Sequence, residues 1–128
     1  MGTAKQPKVL VAEDDALIAM SLSEILSRFG LEVVGVAGAV SDALRIAQTT
    51  RPDLAIFDVR LRGNCDGIEG AILLRSFLDI PVVFLTGQSD EGTRARALAV
   101  KPAAYLCKPA QPQDILAAVD KALGRGMA

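Results

Sequence analysis

Five short apolar runs, each followed by a segment with helical spacing, leave this chain few ways to fold. The runs are "KVLVA" (8–12), "EVVGVAG" (32–38), "DLAIFDV" (53–59), "PVVFLTG" (81–87) and "AYLCK" (104–108). Most are apolar without strict alternation, the pattern of strands covered on both faces. In the first intervening segment Ile18, Leu22, Ile25 and Phe29 recur at three and four residues, which predicts one buried helical stripe. Gly30 then supplies a helix stop. Ser41 is placed to cap a second helix, and Asp66 with Glu69 has capping-box spacing ahead of "AILLR". "DEGTRARALAV" (90–100) is small, charged and only weakly amphipathic. A last helix is predicted from Pro112, a favourable first helical residue, burying Ile115, Leu116, Val119 and Leu123. Strands alternating with helices predict a five-stranded parallel sheet with helices on both faces, a doubly wound α/β fold. The 128 residues suit one domain, 1–128 with a core of about 8–124.

Right-handed crossovers restrict the topology further. Polar residues stand at the carboxyl ends of four runs: Asp14, Asp58, Thr86 and Lys108. The second run ends in "GVAGAV", with nothing ionisable. Strand order 2-1-3-4-5 places that second strand at an edge and gathers the other four ends at one crevice. Ligands of such sheets bind outside the carboxyl ends of the strands, at the switch point between strands one and three.

Composition removes several function classes. Net charge is −1 with scattered Lys and Arg, so no basic stripe suggests direct nucleic-acid binding. No apolar run approaches the ~20 residues that span a bilayer, and "MGTAKQPK" lacks the apolar segment of a secretory signal. A cytoplasmic location is expected. Cys65 and Cys107 lack metal-ligand spacing and read as reduced thiols. With no histidine, the chain lacks the commonest general base and has no phosphohistidine of its own.

"VLVAEDDALI" (10–19) sets Glu13, Asp14 and Asp15 in a row at a strand end. Each has a bland explanation; Asp15, for example, can cap the next helix. In the predicted topology, however, Glu13 and Asp14 converge with Asp58 on the neighbouring strand. Close carboxylates repel unless a cation neutralises them, and hard oxygen ligands with room for water suit Mg²⁺. A metal beside a carboxylate points to phosphate chemistry, with Asp58 as a nucleophile forming an acyl phosphate. Lys108 would pair with a phosphoryl oxygen and Thr86 would donate its hydroxyl.

The pieces "VLVAEDD", "DLAIFDVRL" followed by "DGIEG", "PVVFLTG" and "YLCKP" resemble a response-regulator receiver domain of two-component or phosphorelay signalling. The resemblance covers about 8–124. It implies that Asp58 accepts a phosphoryl group from a partner sensor histidine kinase or histidine phosphotransfer protein, without the chain being an enzyme in its own right. It implies Mg²⁺ held by Asp14, Asp58 and the backbone carbonyl of Arg60, with Glu13 acting mostly through water. Thr86 and Lys108 would bind the acquired phosphate, and Thr86 with Tyr105 would switch the face of helix four, strand five and helix five. Lys108–Pro109 is expected to be cis, and the output to be a downstream protein or a domain outside this chain.

Two departures stand out. Ala110 follows the Lys-Pro pair where many receivers carry an aromatic, which predicts looser packing at the base of helix five. Glu13 replaces the commoner Asp, a change that keeps metal binding. Rival phosphate-handling folds fit less well. A haloacid-dehalogenase hydrolase or a topoisomerase-primase module needs a second acid two residues after the first, where Arg60 stands. A flavin mononucleotide module needs a Ser/Thr/Gly phosphate loop after strand one. The nearest alternative is a pseudo-receiver that binds partners without phosphorylation.

Overall fold

In the computed structural model, which describes residues 6–87 and 90–125, five parallel strands alternate with five helices. They are β1 (Lys8–Ala12), α1 (Ala16–Arg28), β2 (Glu32–Ala37), α2 (Val40–Thr50), β3 (Leu54–Phe57), α3 (Gly67–Arg75), β4 (Val82–Thr86), α4 (Glu91–Ala99), β5 (Ala104–Cys107) and α5 (Pro112–Ala122). The strand order is β2-β1-β3-β4-β5, as the distribution of polar strand ends predicts. Met1–Lys5, on which the expectation about a secretory signal partly rests, and Gly126–Ala128 lie outside the described residues.

The unbroken apolar runs have a direct explanation. Successive side chains of a strand point to opposite faces. On β1, Leu10 and Ala12 join Phe57, Phe84 and the inner residues of α2 and α3 in one core. Val9 and Val11 join Ile56, Val83, Leu85, α1 and α5 in the other. With both faces covered, no strand position of β1, β3 or β4 needs to be polar until the chain leaves the sheet.

Helix ends follow the local signals with two exceptions. Asp15 caps α1 by accepting hydrogen bonds from the N–H groups of Leu17 and Ile18. Asp66 and Glu69 form the full capping box of α3. Gly30 has φ +83, the left-handed conformation that ends a helix. Phe29, however, is the C-cap of α1 and 57% exposed. The buried row of α1 is Ala19, Leu22 and Leu26, flanked by the half-buried Ile18 and Ile25. The apolar spacing identified the right side of the helix but ran one residue past its last turn. Ser41 is not a cap either. The extended Ala39 precedes α2, and its backbone bridges to Arg62, so tertiary pairing rather than a hydroxyl sets where α2 begins.

α5 begins at Pro112 and buries Ile115, Ala118 and Val119, with Leu116 and Leu123 only partly covered. α4 buries Ala97 alone. Arginines attach it instead: Arg96 pairs with Asp66 at 2.8 Å, and Arg75 donates to the carbonyls of Val100 and Lys101 beyond its last turn. No described helix is long and apolar enough to cross a membrane.

Candidate functional site

The crevice is assembled by register. Ala12 pairs with Phe57 across β1 and β3, so the next residues, Glu13 and Asp58, leave adjacent strands side by side. The ladder continues one step, with the Asp58 N–H donating to the Ala12 carbonyl at 2.8 Å. On β1's other side the Glu13 N–H donates to Ala37 of β2 at 2.8 Å. Thr86 ends β4 opposite Cys107, and the Lys108 N–H donates to the Thr86 carbonyl at 2.9 Å. Four strand ends thus converge on one opening of about 320 Å³, lined by Glu13, Asp14, Asp58, Arg60 and Lys108 among others.

Burial divides the acids. Glu13 and Asp58 are 4% and 6% exposed, while Asp14 faces solvent. Carboxylate oxygens of Glu13, Asp14 and Asp58 lie within 4.8 Å of one another, the hard-oxygen cluster a divalent cation requires. Asp15, the third acid of the row, caps α1 instead.

The repulsion between the buried pair is offset by the chain itself. The Lys108 ammonium lies 2.6 Å from Glu13 Oε1 and 2.7 Å from Asp58 Oδ2. The sequence reading assigned neutralisation to a metal; here Lys108, entering from β5, provides it for Glu13 and Asp58. Burial tends to lower the lysine pKa, yet the hydrogen bonds to Asp58 and Glu13 outweigh it and hold the ammonium above its ordinary range. Burial lifts the Glu13 carboxyl above the usual carboxylate value, against the opposing pull of Lys108 and the Asp15 N–H. Asp58 Oδ1 accepts the Arg60 N–H at 3.1 Å.

Thr86, expected to face the crevice, ends β4 but is fully buried and does not line the opening, which β4 reaches through Gly87. Tyr105 is half-buried on β5, edge-on to Phe84 with ring centroids 6.4 Å apart, and the Arg94 guanidinium of α4 lies 5.5 Å from its ring centre. Lys108–Pro109 is cis. Ala110 packs against the second core and borders a groove of about 520 Å³ between α1 and the start of α5, lined by Leu17, Ile18, Ile25 and Ile115 among others. Cys65 and Cys107 are free thiols.

Sequence reasoning missed two relationships, the bond between Glu13 and Lys108 and the stacking of Arg94 on Tyr105. Neither carries a sequence signal, because each joins side chains from different elements. Asp66, expected and found as the N-cap of α3, also pairs with Arg96 of α4.

An aspartate at the end of β3, flanked by acids from β1 and a lysine from β5 on a 2-1-3-4-5 sheet, is the arrangement of a receiver-type fold. The sequence profile of the response regulator receiver domain matches residues 9–120, and the chain belongs to that family. It is 40% identical over 118 residues to the transcriptional regulatory protein PdtaR of Mycobacterium tuberculosis, covering 92% of this chain and 57% of PdtaR. It is 32% identical to the phyllosphere-induced regulator PhyR of Methylorubrum extorquens, over 91% of this chain and 43% of PhyR. The chain therefore spans about half the length of these relatives. The signal receiver domain of a modulated diguanylate cyclase from Desulfovibrio desulfuricans superposes with a TM-score of 0.88 at 35% identity, covering 94% of this chain and 95% of that one.

Proposed function

We propose that this receiver domain accepts a phosphoryl group on Asp58 from a phosphohistidine of a partner sensor kinase or phosphotransfer protein. The observation that carries the reading is the position of Asp58: at a strand end, 2.7 Å from the Lys108 ammonium and within carboxylate reach of Glu13 and Asp14. A carboxylate lone pair attacks phosphorus, the new P–O bond forms, and the P–N bond breaks with its electron pair returning to the partner imidazole. Lys108 offsets charge on a phosphoryl oxygen, and Thr86 supplies a hydroxyl once the crevice rearranges.

The donor set fits Mg²⁺, with Asp14, Asp58 and the Arg60 carbonyl as direct ligands and Glu13 contributing through water. When bound, the ion supplies charge neutralisation at the transferring oxygens. The output is a changed contact face of α4, β5 and α5, read by a downstream protein or an attached domain. That α4 buries so little apolar surface supports its mobility. Treating the protein with acetyl phosphate and Mg²⁺ should add one phosphoryl mass, absent in Asp58→Asn. Equal labelling of that variant would overturn the assignment, and no labelling of wild type would favour a pseudo-receiver.

A further inference from the structure

We propose that Glu13 is the positioning residue for Lys108, holding the ammonium over Asp58, and that its role as a metal ligand is secondary. The inference deepens the phosphoacceptor reading and rests on it. Both Glu13 oxygens are already engaged by the chain: Oε1 accepts from Lys108 at 2.6 Å, and Oε2 accepts from the Asp15 N–H at 3.0 Å. The second bond comes from the turn that opens α1 and orients the carboxylate plane. Lys108 follows β5 and must reach across β4 and β3 to meet Glu13 at the end of β1. A lysine is a hydrated point charge on a flexible four-carbon stem, so one anchor would leave it many positions. Two buried carboxylates, Glu13 and Asp58, reduce these to one. Asp14 is exposed on the open side of the same crevice, where a hydrated cation approaches. The two cations thus have separate supports: Lys108 is held by Glu13, and the metal by Asp14 with Asp58.

The test uses Glu13→Gln, Asp14→Asn, Lys108→Ala and the double variant Glu13→Gln/Lys108→Ala. In metal-free protein, lysine-selective ammonium spectra should show a protected Lys108 signal in wild type and Asp14→Asn, and lose it in Glu13→Gln. With acetyl phosphate, and Mg²⁺ raised until the rate no longer increases, Glu13→Gln should remain slower than wild type by about tenfold. In the Lys108→Ala background the same substitution should change the rate by less than about twofold, because the two act as a unit. A Glu13→Gln defect cured by excess Mg²⁺, or one of undiminished size without Lys108, would overturn the proposal. A retained ammonium signal in Glu13→Gln would overturn it as well. If wild type accepts no phosphoryl group, the function reading fails while the ammonium spectra still decide whether Glu13 holds Lys108.

Discussion

Gly67, the first residue of α3, lies so close to the end of β3 that a Cβ on it would meet the carbonyl oxygen of Asp58 at 1.9 Å. Its N–H donates to Val59 at 2.7 Å, so helix start and strand end form one joint. The obstacle is backbone, which cannot rotate away. Gly67→Ala is therefore expected to cost about 2–3 kcal/mol through overpacking. It should also slow phosphorylation of Asp58 by displacing its backbone. Urea unfolding checks the first effect, and an unchanged midpoint would show that the joint yields freely.

Metal binding should stabilise the fold by linkage, by about 2.7 kcal/mol at a hundred times the dissociation constant. Asp14→Ala is expected to weaken the rise in melting temperature with Mg²⁺. Without metal the same substitution should stabilise by only about 0.5 kcal/mol or less, because Asp14 is solvated and Lys108 already neutralises Glu13 and Asp58. A clear loss of metal-free stability would instead make Asp14 a structural residue.

Tyr105 is the single tyrosine in a chain without tryptophan, so ultraviolet absorbance reads its ionisation directly. Burial holds the phenol above its ordinary pKa of 10.0, with Cys107 adding to the shift and Arg94 opposing it. The sign follows from linkage: a raised folded pKa contributes stability present below the unfolded value and lost as pH rises through the folded one. Wild type should therefore titrate above a tyrosine model compound. Arg94→Ala should titrate higher still, and a lower midpoint in that variant would remove the guanidinium from the ring.

Switching needs differential contacts. Reversing a 1:99 balance takes about 5.5 kcal/mol, and single contacts from Lys108 or Thr86 supply only part of that. Thr86→Ala is expected to keep phosphorylation at Asp58 yet lose most of the change around Tyr105 and α4. Amide spectra with and without beryllofluoride measure it. Shifts of wild-type size at Tyr105 would take Thr86 out of the switch.

Much of this protein was legible in local chemistry. Apolar runs, capping residues and Pro112 act over a few residues, so strands, helices and the Asp66–Glu69 box followed from spacing alone. The strand order was legible for a related reason: 2-1-3-4-5 puts β2, whose end carries nothing ionisable, at an edge and gathers the polar ends of the other four strands. Where tertiary contacts compete with local signals, the sequence misled. Ala39, held by its bridge to Arg62, displaced Ser41 as the start of α2, and Phe29 lay past the turn that would have buried it. The burial of Glu13, the exposure of Asp14 and the reach of Lys108 to Glu13 were decided by the folded molecule alone. Those two residues are 95 positions apart, and their 2.6 Å separation depends on register and on burial on every side. Sequence therefore determined which charges meet at the crevice. Tertiary structure decided which of them neutralise each other, because charge pairing at short range is set by distances of an ångström or so that no residue spacing encodes.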